Sequence, residues 1–397
     1  MPAIELNGER DMPSLLHLLL RRAIFSICAA ACCAILTAAA PALAIEPEPG
    51  IPELIERLSL RETAQSLRDH PRWRKPERIG VQFPGWISAA VPDAVQRFRR
   101  AAGDVEIVEI TGPSDPRVAQ LDAIVGFCSP AMLKAASNLR WLHNYPVGVE
   151  GCTLLPDIGQ YEFILTNSQR TSGPTIAEHV IGLMMALTRN LQYHHRNQLE
   201  ANWDRSIPTD AAMFDVEGKT MLVAGLGGIG SEVAQRAAGL GMRVIATRRS
   251  GGDRPAFVEY VGRPDELFEL AARADVVVNA LPLTRETRHL FDRKFFDAVK
   301  PGAYFISVGR GESTVTTELV AALKDGRLRA AGLDVIDPEP LPRDHELWRL
   351  PNVLITPHIS SQTVQARQRM AAVAIENVRR YVAGEKLLNE VDLKAGY

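Results

Sequence analysis

The sequence contains little cysteine, and this scarcity limits how the fold can be held together. Three of its five cysteines lie within residues 1–44, which leaves only Cys128 and Cys152 in the rest of the 397-residue chain. Two cysteines in a chain of this length are more often separate buried thiols than a disulfide. We therefore predict unpaired thiols, and leave a pairing open in case the protein is exported.

Net charge is also nearly absent. With 45 Lys and Arg against 47 Asp and Glu, the formal net charge is -2, which gives no electrostatic reason to expect nucleic acid or acidic lipid as a partner. The chain lacks long charge runs, low-complexity tracts and repeats of solenoid length. What remains is an ordinary globular composition, in a chain long enough for two domains with a core each.

An uncharged run occupies residues 23–40. Arg21 and Arg22 precede it, and Ala42-Leu43-Ala44 follows with the small-x-small pattern of a cleavage site. This order predicts a signal peptide over residues 1–44 and export to a periplasm, with no membrane partner after cleavage. The paired arginines also suit the twin-arginine route. Three alternatives stay open: an uncleaved membrane anchor, a start at Met12, and a cytoplasmic protein if the segment is not used.

Downstream of residue 77, short β-branched runs alternate with helical periodicity, which is typical of α/β proteins with parallel sheets. We predict two doubly wound lobes. Strands are predicted at 79–83, 105–110, 122–127, 141–145 and 163–166, and then at 220–224, 243–246, 275–280, 303–308, 330–335 and 353–356. A long helix from about residue 174 bridges the lobes, and a last helix, 363–382, completes the first lobe.

The predicted organisation is a Rossmann dinucleotide-binding domain inserted into a flavodoxin-like substrate domain. The Rossmann domain would cover residues 173–358, and the substrate domain would cover 78–172 and 359–397, after an N-terminal extension at 45–77. Ligands of such sheets bind at the carboxyl ends of the strands. We therefore expect the active site in the cleft between the two lobes.

A glycine motif, Gly225-Leu226-Gly227-Gly228-Ile229-Gly230, lies directly after an apolar strand and opens a helix. In this context it predicts a dinucleotide site. Gly225 permits a tight turn, Gly227 lets the backbone approach the pyrophosphate, and Gly230 lets helix and strand pack closely. The N–H groups of Gly228 and Ile229, at the helix N-terminus, are expected to face the phosphates.

The end of the next strand distinguishes NADP from NAD. NAD sites usually present a carboxylate there, whereas an arginine accommodates the 2′-phosphate of NADP. This chain has Thr247-Arg248-Arg249-Ser250, and no acidic residue before Asp253. Arg248, Arg249 and Ser250 are donors suited to phosphate. The sequence therefore predicts NADP(H) as the preferred cofactor, with NAD(H) as the alternative.

Three predicted strands end in residues that carry chemistry: Arg310 in Val308-Gly309-Arg310-Gly311, Glu339 in Asp334-Val335-Ile336-Asp337-Pro338-Glu339-Pro340, and His358 in Thr356-Pro357-His358. With these stretches the chain resembles the D-isomer-specific 2-hydroxyacid dehydrogenase family, which includes glyoxylate/hydroxypyruvate reductases. The resemblance extends from about residue 78 to the last helix. It also includes Asn167, Ala177-Glu178-His179, Leu281-Pro282-Leu283-Thr284 and Thr287.

The resemblance implies a role for each of these residues. Arg310 would bind the substrate carboxylate and 2-oxo oxygen, and His358 would be the general acid/base, with Glu339 orienting its ring and favouring its charged form. Asp334 would help to place the nicotinamide carboxamide. The resemblance also assigns Pro282, Thr287 and Val308 to the cofactor site, and the backbone of Val147 and Gly148 to the substrate carboxylate. A homodimer built through the nucleotide lobe is implied as well, and no metal is expected.

The predicted reaction is the NAD(P)H-dependent reduction of a small 2-oxo acid, such as glyoxylate or hydroxypyruvate, to the D-2-hydroxy acid. Formate dehydrogenases share the fold, but they carry glutamine at the position of Glu339, so the glutamate favours a proton-donating histidine. The alternative from another class is a dinucleotide-sensing interaction protein on the same scaffold.

Overall fold

The computed structural model describes residues 50–71, 73–205, 213–250 and 254–397. The predicted signal peptide lies outside these residues. A short helix, α1 (Ile51–Leu58), precedes a five-stranded parallel sheet with the order β2-β1-β3-β4-β5. Its strands are β1 (Arg78–Val81), β2 (Glu106–Glu109), β3 (Ala123–Gly126), β4 (Trp141–Asn144) and β5 (Ile164–Asn167).

The helices between these strands are short. They are α2 (Gly85–Ala90), α3 (Ala94–Ala102), α4 (Pro130–Ala135) and α5 (Glu150–Thr153). Strands β3, β4 and β5 are buried at every position, as strands of a parallel sheet covered on both faces should be.

Two longer elements follow β5, namely α6 (Gly173–Thr188) and α7 (Leu191–Leu199). Helix α6 packs against the second sheet through a buried row that includes Val180, Met184 and Leu187. Near its N-terminal end, Thr175 Oγ1 lies 3.3 Å from Thr363 Oγ1, at the start of the last helix. The helix therefore contacts both lobes, as predicted.

The second sheet has seven parallel strands in the order β12-β11-β10-β9-β6-β7-β8. The strands are β6 (Thr220–Ala224), β7 (Arg243–Thr247), β8 (Tyr260–Gly262), β9 (Val276–Asn279), β10 (Ala303–Ser307), β11 (Leu328–Leu333) and β12 (Val353–Ile355). Its helices are α8 (Gly228–Gly239), α9 (Leu267–Ala271), α10 (Arg293–Ala298) and α11 (Thr316–Lys324). From β6 the chain winds first towards β8 and then back towards β12, so the crevice of this sheet lies at the carboxyl end of β6.

The last helix, α12 (Val364–Ala383), returns to the first domain, where it packs against α2 and α3. The ring of Tyr381 stacks on Trp141 of β4, with the ring centroids 4.5 Å apart. Asn377 Nδ2 also donates to the carbonyl of Leu388, inside the same core. The predicted fold class, two α/β lobes with parallel sheets, is therefore confirmed. Strand β8 escaped prediction because it has three residues and only one of them is buried.

The prediction that Cys128 and Cys152 are separate thiols is wrong. They form a disulfide, with their Cα atoms 5.9 Å apart. Cys128 follows β3, and Cys152 lies in α5. Sequence reasoning predicted no helix at α5, so it could not bring the two thiols together. Among the described residues, no helix is long and apolar enough to cross a membrane.

We expect loss of the disulfide to lower the free energy of unfolding of the first domain. The bond closes a loop between residues 24 apart, and loop closure of that size contributes about 3 kcal/mol through the unfolded chain. Urea unfolding of wild type and of Cys152→Ser measures the difference. The double variant Cys128→Ser/Cys152→Ser should lose no more than the single variant. Equal stability of wild type and Cys152→Ser would refute a contribution from the bond.

Candidate active site

Arg310, Asp334 and His358 come together because their strands are neighbours. Arg310 follows β10, Asp334 follows β11, and His358 lies three residues beyond β12, and these three strands are adjacent in one parallel sheet. The carboxyl ends of parallel strands meet at one edge of the sheet. Residues that are distant in sequence therefore share one crevice.

His358 and Glu339 form a direct pair. The ring Nδ1 of His358 lies 2.9 Å from Glu339 Oε2, and the two side chains are 46% and 38% exposed. The other carboxylate oxygen of Glu339 accepts a hydrogen bond of 3.0 Å from the N–H of Ile336. The glutamate is thus fixed by its own loop, and it fixes the imidazole in turn.

The backbone at His358 is strained. Its φ of 53° lies in the left-handed region, which costs a residue with a side chain about 1 kcal/mol or more and is found where the surroundings impose it. The N–H of His358 donates to the carbonyl of Asp334 over 2.8 Å. Such a constraint is common at functional sites.

Asp334 supplies that constraint. Its carboxylate is 2% exposed and accepts from Thr356 Oγ1 at 2.6 Å and from the N–H groups of Ile359 and Ser360 at 3.0 Å. Burial works to raise the pKa of Asp334, but these hydrogen bonds outweigh it and hold the pKa below its ordinary value. The carboxylate therefore stays charged and shapes the loop that carries His358. The role at the nicotinamide that the resemblance implies for Asp334 stays a prediction.

The loop that carries His358 is also held by His179, a role that sequence reasoning did not predict. His179 Nε2 on α6 lies 2.9 Å from Thr356 Oγ1 and 3.7 Å from Asp334 Oδ1. His179 had appeared only as part of the resemblance, and Thr356 as the residue before Pro357. Their pairing depends on α6 crossing the ends of β11 and β12, which no local pattern shows.

Arg310 projects into the same crevice from the other side. Its Nη1 donates to the carbonyl of Gly309 at 2.8 Å, and its Nε donates to Glu150 Oε1 at 2.7 Å. The guanidinium packs against Gly148, where a Cβ atom would lie 1.7 Å from Nη2. A side chain at position 148 would displace the guanidinium from this position. Glu150 is a site residue that sequence reasoning left without a role.

Two asparagines hold the substrate loop, the segment Val147-Gly148 that is predicted to bind the substrate carboxylate. Asn167 Nδ2 donates to the carbonyl of Val147 at 2.6 Å, and Asn144 Nδ2 donates to the carbonyl of Gly148 at 2.9 Å. Within the described part of the chain, the N–H groups of Val147 and Gly148 donate to no other residue. They remain open to an anion beside Arg310.

The glycine motif has the geometry that a dinucleotide requires. Gly225 has a φ of 95°, and a Cβ at Gly230 would lie 2.0 Å from the carbonyl oxygen of Gly225. A Cβ at Gly227 would have no neighbour within 4 Å, so space is open in front of that backbone. Helix α8 begins at Gly228 and directs its N–H groups to that space. Ile229 packs partly against the core beneath.

The basic residues after β7 lie beside this motif. Leu226 N–H donates to the carbonyl of Thr247, which joins the glycine turn to the end of β7. Arg249 and Ser250 are exposed, and Arg248 is partly exposed. The ring of Tyr397 lies over the guanidinium of Arg249, 4.5 Å away. Asp253 lies outside the described residues.

The remaining predicted cofactor residues follow the carboxyl ends of β9 and β10. Val308 is buried, and its N–H bonds the carbonyl of Asn279 at the end of β9. Pro282 is exposed, and its carbonyl accepts from Thr287 Oγ1 at 2.7 Å. Over the described ranges, no group of three or more His, Cys, Asp or Glu residues could hold a metal ion.

The chain is similar to proteins of one family of oxidoreductases. Residues 181–360 match the family model described as D-isomer specific 2-hydroxyacid dehydrogenase, NAD binding domain. A glyoxylate reductase of Pyrococcus furiosus is 31% identical over 280 residues, which cover 68% of this chain and 82% of that relative. A glyoxylate/hydroxypyruvate reductase B of Citrobacter koseri is 35% identical over 249 residues, 62% of this chain and 76% of that relative.

Solved structures are similar as well. A D-isomer specific 2-hydroxyacid dehydrogenase from Xanthobacter autotrophicus, in complex with NADPH and MES, has a TM-score of 0.67 at 27% identity, and the match covers 80% of this chain and 99% of that one. An NADPH-dependent glyoxylate/hydroxypyruvate reductase from Sinorhizobium meliloti, in complex with NADP and sulfate, has a TM-score of 0.69 at 25% identity, with coverage of 81% and 100%.

Proposed function

The chain belongs to the D-isomer specific 2-hydroxyacid dehydrogenase family, and we propose that it reduces glyoxylate, hydroxypyruvate or a similarly small 2-oxo acid to the D-2-hydroxy acid. The observation that carries the proposal is the pairing of His358 with Glu339 at 2.9 Å, in the crevice that Arg310 enters. A proton donor and a carboxylate-binding cation in one crevice are what this reduction needs from a protein.

Arg310 and the 147–148 backbone bind the substrate. The planar guanidinium matches a carboxylate, and charge-assisted bonds of this kind are stronger than neutral ones. The open N–H groups of Val147 and Gly148 add donors on the same side. Gly148 leaves the space that the guanidinium occupies, since a Cβ atom there would lie 1.7 Å from Nη2 and the arginine side chain would have to move.

His358 moves the proton. With Nδ1 donating to Glu339, the Nε2 nitrogen holds the proton that passes to the substrate carbonyl oxygen as the carbon is reduced. The Glu339 carboxylate stabilises the charged ring before transfer. In the reverse reaction His358 takes the proton from the hydroxyl group. Asp334 and Thr356 keep the ring in place by holding the loop behind it.

The cofactor site consists of the glycine motif, the donors after β7, and the crevice residues Pro282, Thr287 and Val308. A reduced nicotinamide dinucleotide, when bound there, supplies the hydride. The open backbone at Gly227 and the free helix start at Gly228 fit its pyrophosphate.

The substrate panel that tests the function is glyoxylate, hydroxypyruvate, pyruvate and phenylpyruvate, assayed by loss of NADPH absorbance. Absence of turnover on all four would refute the proposal and leave the dinucleotide-sensing alternative.

We further propose that NADPH is preferred to NADH, on the strength of Arg248, Arg249 and Ser250 at the end of β7. Replacing both arginines in Arg248→Ala/Arg249→Ala should raise the KM for NADPH about a hundredfold, since each charge-assisted contact to a 2′-phosphate contributes roughly tenfold. The KM for NADH should change little. A wild-type enzyme that uses NADH at least as efficiently as NADPH would contradict this preference.

We propose a homodimer built through the nucleotide lobe. Beyond the family resemblance, large apolar side chains are exposed on and after α7: Leu191 is 53%, Leu199 74% and Trp203 90% exposed. Large exposed apolar side chains on one element and the segment after it are a feature of interaction surfaces. Light scattering of wild type and Trp203→Glu tests this, and a wild-type mass of one chain would refute it.

We also propose that the protein works outside the cytoplasm. The Cys128–Cys152 disulfide supports export together with the segment at 1–44, because disulfides persist in oxidising compartments. Cell fractionation with N-terminal sequencing tests this proposal. A cytoplasmic protein that starts at Met1 or Met12 would contradict it.

A further inference from the structure

Arg310 is already paired with a carboxylate of its own chain. Its Nε donates to Glu150 Oε1 at 2.7 Å, and the two side chains are 25% and 33% exposed. The two residues are 160 positions apart, on different domains. A carboxylate at Nε of Arg310 is the same chemical group that a 2-oxo acid presents.

The loop is built to place this carboxylate. Helix α5 begins at Glu150, and Cys152, in the same helical turn, forms the disulfide with Cys128, two residues beyond β3. A Cβ atom at Gly148 would lie 2.6 Å from Glu150 Oε2, so the carboxylate and the guanidinium both use the space that this glycine leaves. The contact is therefore part of the substrate loop and not an incidental surface pair.

Glu150 remains charged in this position. Burial works to raise its pKa, but the charge and the hydrogen bond of Arg310 outweigh burial, so the net pKa lies below the ordinary value for glutamate. His358 also contributes a favourable electrostatic interaction. The negative charge of Glu150 thus acts on both the arginine and the histidine of the crevice.

We propose that Glu150 is an internal competitor of the substrate, because its carboxylate and the substrate carboxylate bind the same group, the guanidinium of Arg310. Its carboxylate occupies Arg310 until a substrate carboxylate displaces it, and the charge that it retains in the crevice selects 2-oxo acids with one negative charge over those with two. This inference rests on the function proposed above. A substrate's second carboxylate meets a like charge that the site cannot neutralise, because Arg310 is then engaged with the first.

The test compares three variants with saturating NADPH, using glyoxylate as the monoanion and 2-oxoglutarate as the dianion. Glu150→Gln keeps the size of the side chain and removes the charge, and should lower the KM for glyoxylate about tenfold, the effect of one charge-assisted bond. Discrimination against 2-oxoglutarate, measured as kcat/KM for glyoxylate divided by kcat/KM for 2-oxoglutarate, should fall by about tenfold or more. Glu53→Gln, an exposed glutamate on α1, is the charge-matched control and should change neither.

Glu150→Asp separates the two effects. Its side chain is one methylene shorter and reaches Nε poorly, but it keeps the charge. The KM for glyoxylate should therefore fall as in Glu150→Gln, while discrimination against 2-oxoglutarate is retained. An unchanged or higher KM for glyoxylate in Glu150→Gln refutes competition between Glu150 and the substrate for Arg310. Unchanged discrimination against 2-oxoglutarate in the same variant refutes selection by the charge of Glu150.

Oxamate binding distinguishes failure of this inference from failure of the proposed function. Calorimetric titration of oxamate, an unreactive 2-oxo acid analogue, into the NADPH-loaded protein requires no turnover. Glu150→Gln should bind it about tenfold more tightly than wild type. If the wild type reduces no 2-oxo acid but this difference appears, the proposed reaction fails and the competitor stands. Equal oxamate affinity in both proteins rejects the competitor even if the enzyme is active.

Discussion

His358→Gln is expected to lower kcat for glyoxylate reduction by about a thousandfold, because a positioned general acid contributes about two to four orders of magnitude. Glutamine fills similar space and can still form a hydrogen bond, but it cannot transfer a proton at neutral pH. The measurement is steady-state turnover with NADPH. Binding of NADPH, followed by its fluorescence, should stay near the wild-type value because the residues proposed to bind the cofactor are unchanged.

The matched control for this variant is His195→Gln. His195 is an exposed residue of α7, and the same chemical change there should leave kcat within about twofold. Turnover of His358→Gln within tenfold of wild type would remove the histidine from proton transfer. The pairing with Glu339 would then have a structural role only.

Arg310→Lys is the second variant with a large expected effect. Lysine keeps a positive charge but loses the planar fork and the Nε donor, so two charge-assisted bonds to the substrate cannot form together. We expect kcat/KM to fall about a hundredfold, since each such bond contributes roughly 1.5 kcal/mol. The assay is initial rate against glyoxylate concentration with saturating NADPH.

Arg57→Lys provides the control, since Arg57 is exposed on α1. It should leave kcat/KM unchanged. If Arg310→Lys also kept its full kcat/KM, carboxylate binding would have to be assigned elsewhere, to the backbone at 147–148. An unchanged KM with a lower kcat would place Arg310 at the reacting carbonyl alone.

Much of the fold could be predicted because its signal is local. Short β-branched and apolar runs located all five strands of the first sheet and six of the seven in the second, within two residues at each end. The glycine motif could be recognised directly, since its spacing after an apolar strand and before a helix is itself the signal. The order of Arg310, Glu339 and His358 located three strand ends, and parallel strands bring such ends to one edge.

The remaining features depend on contacts between distant segments. The disulfide and the Glu150–Arg310 pair both depend on α5, a helix of four residues that has no recognisable periodicity. The brace of His179 on Thr356 depends on how α6 crosses the second sheet. Asp334 could be noticed from the sequence, but its three bonds to the His358 loop could not. These are tertiary contacts, and a single sequence does not specify them.

The most direct test is a crystal structure of the protein with NADP and oxamate. The account predicts oxamate in the crevice, with its carboxylate on Arg310 and the N–H groups of residues 147–148, and its carbonyl oxygen within hydrogen-bond distance of His358 Nε2. Glu150 should have left Nε of Arg310. Oxamate bound away from these three residues, or a nicotinamide ring outside the crevice, would contradict the account.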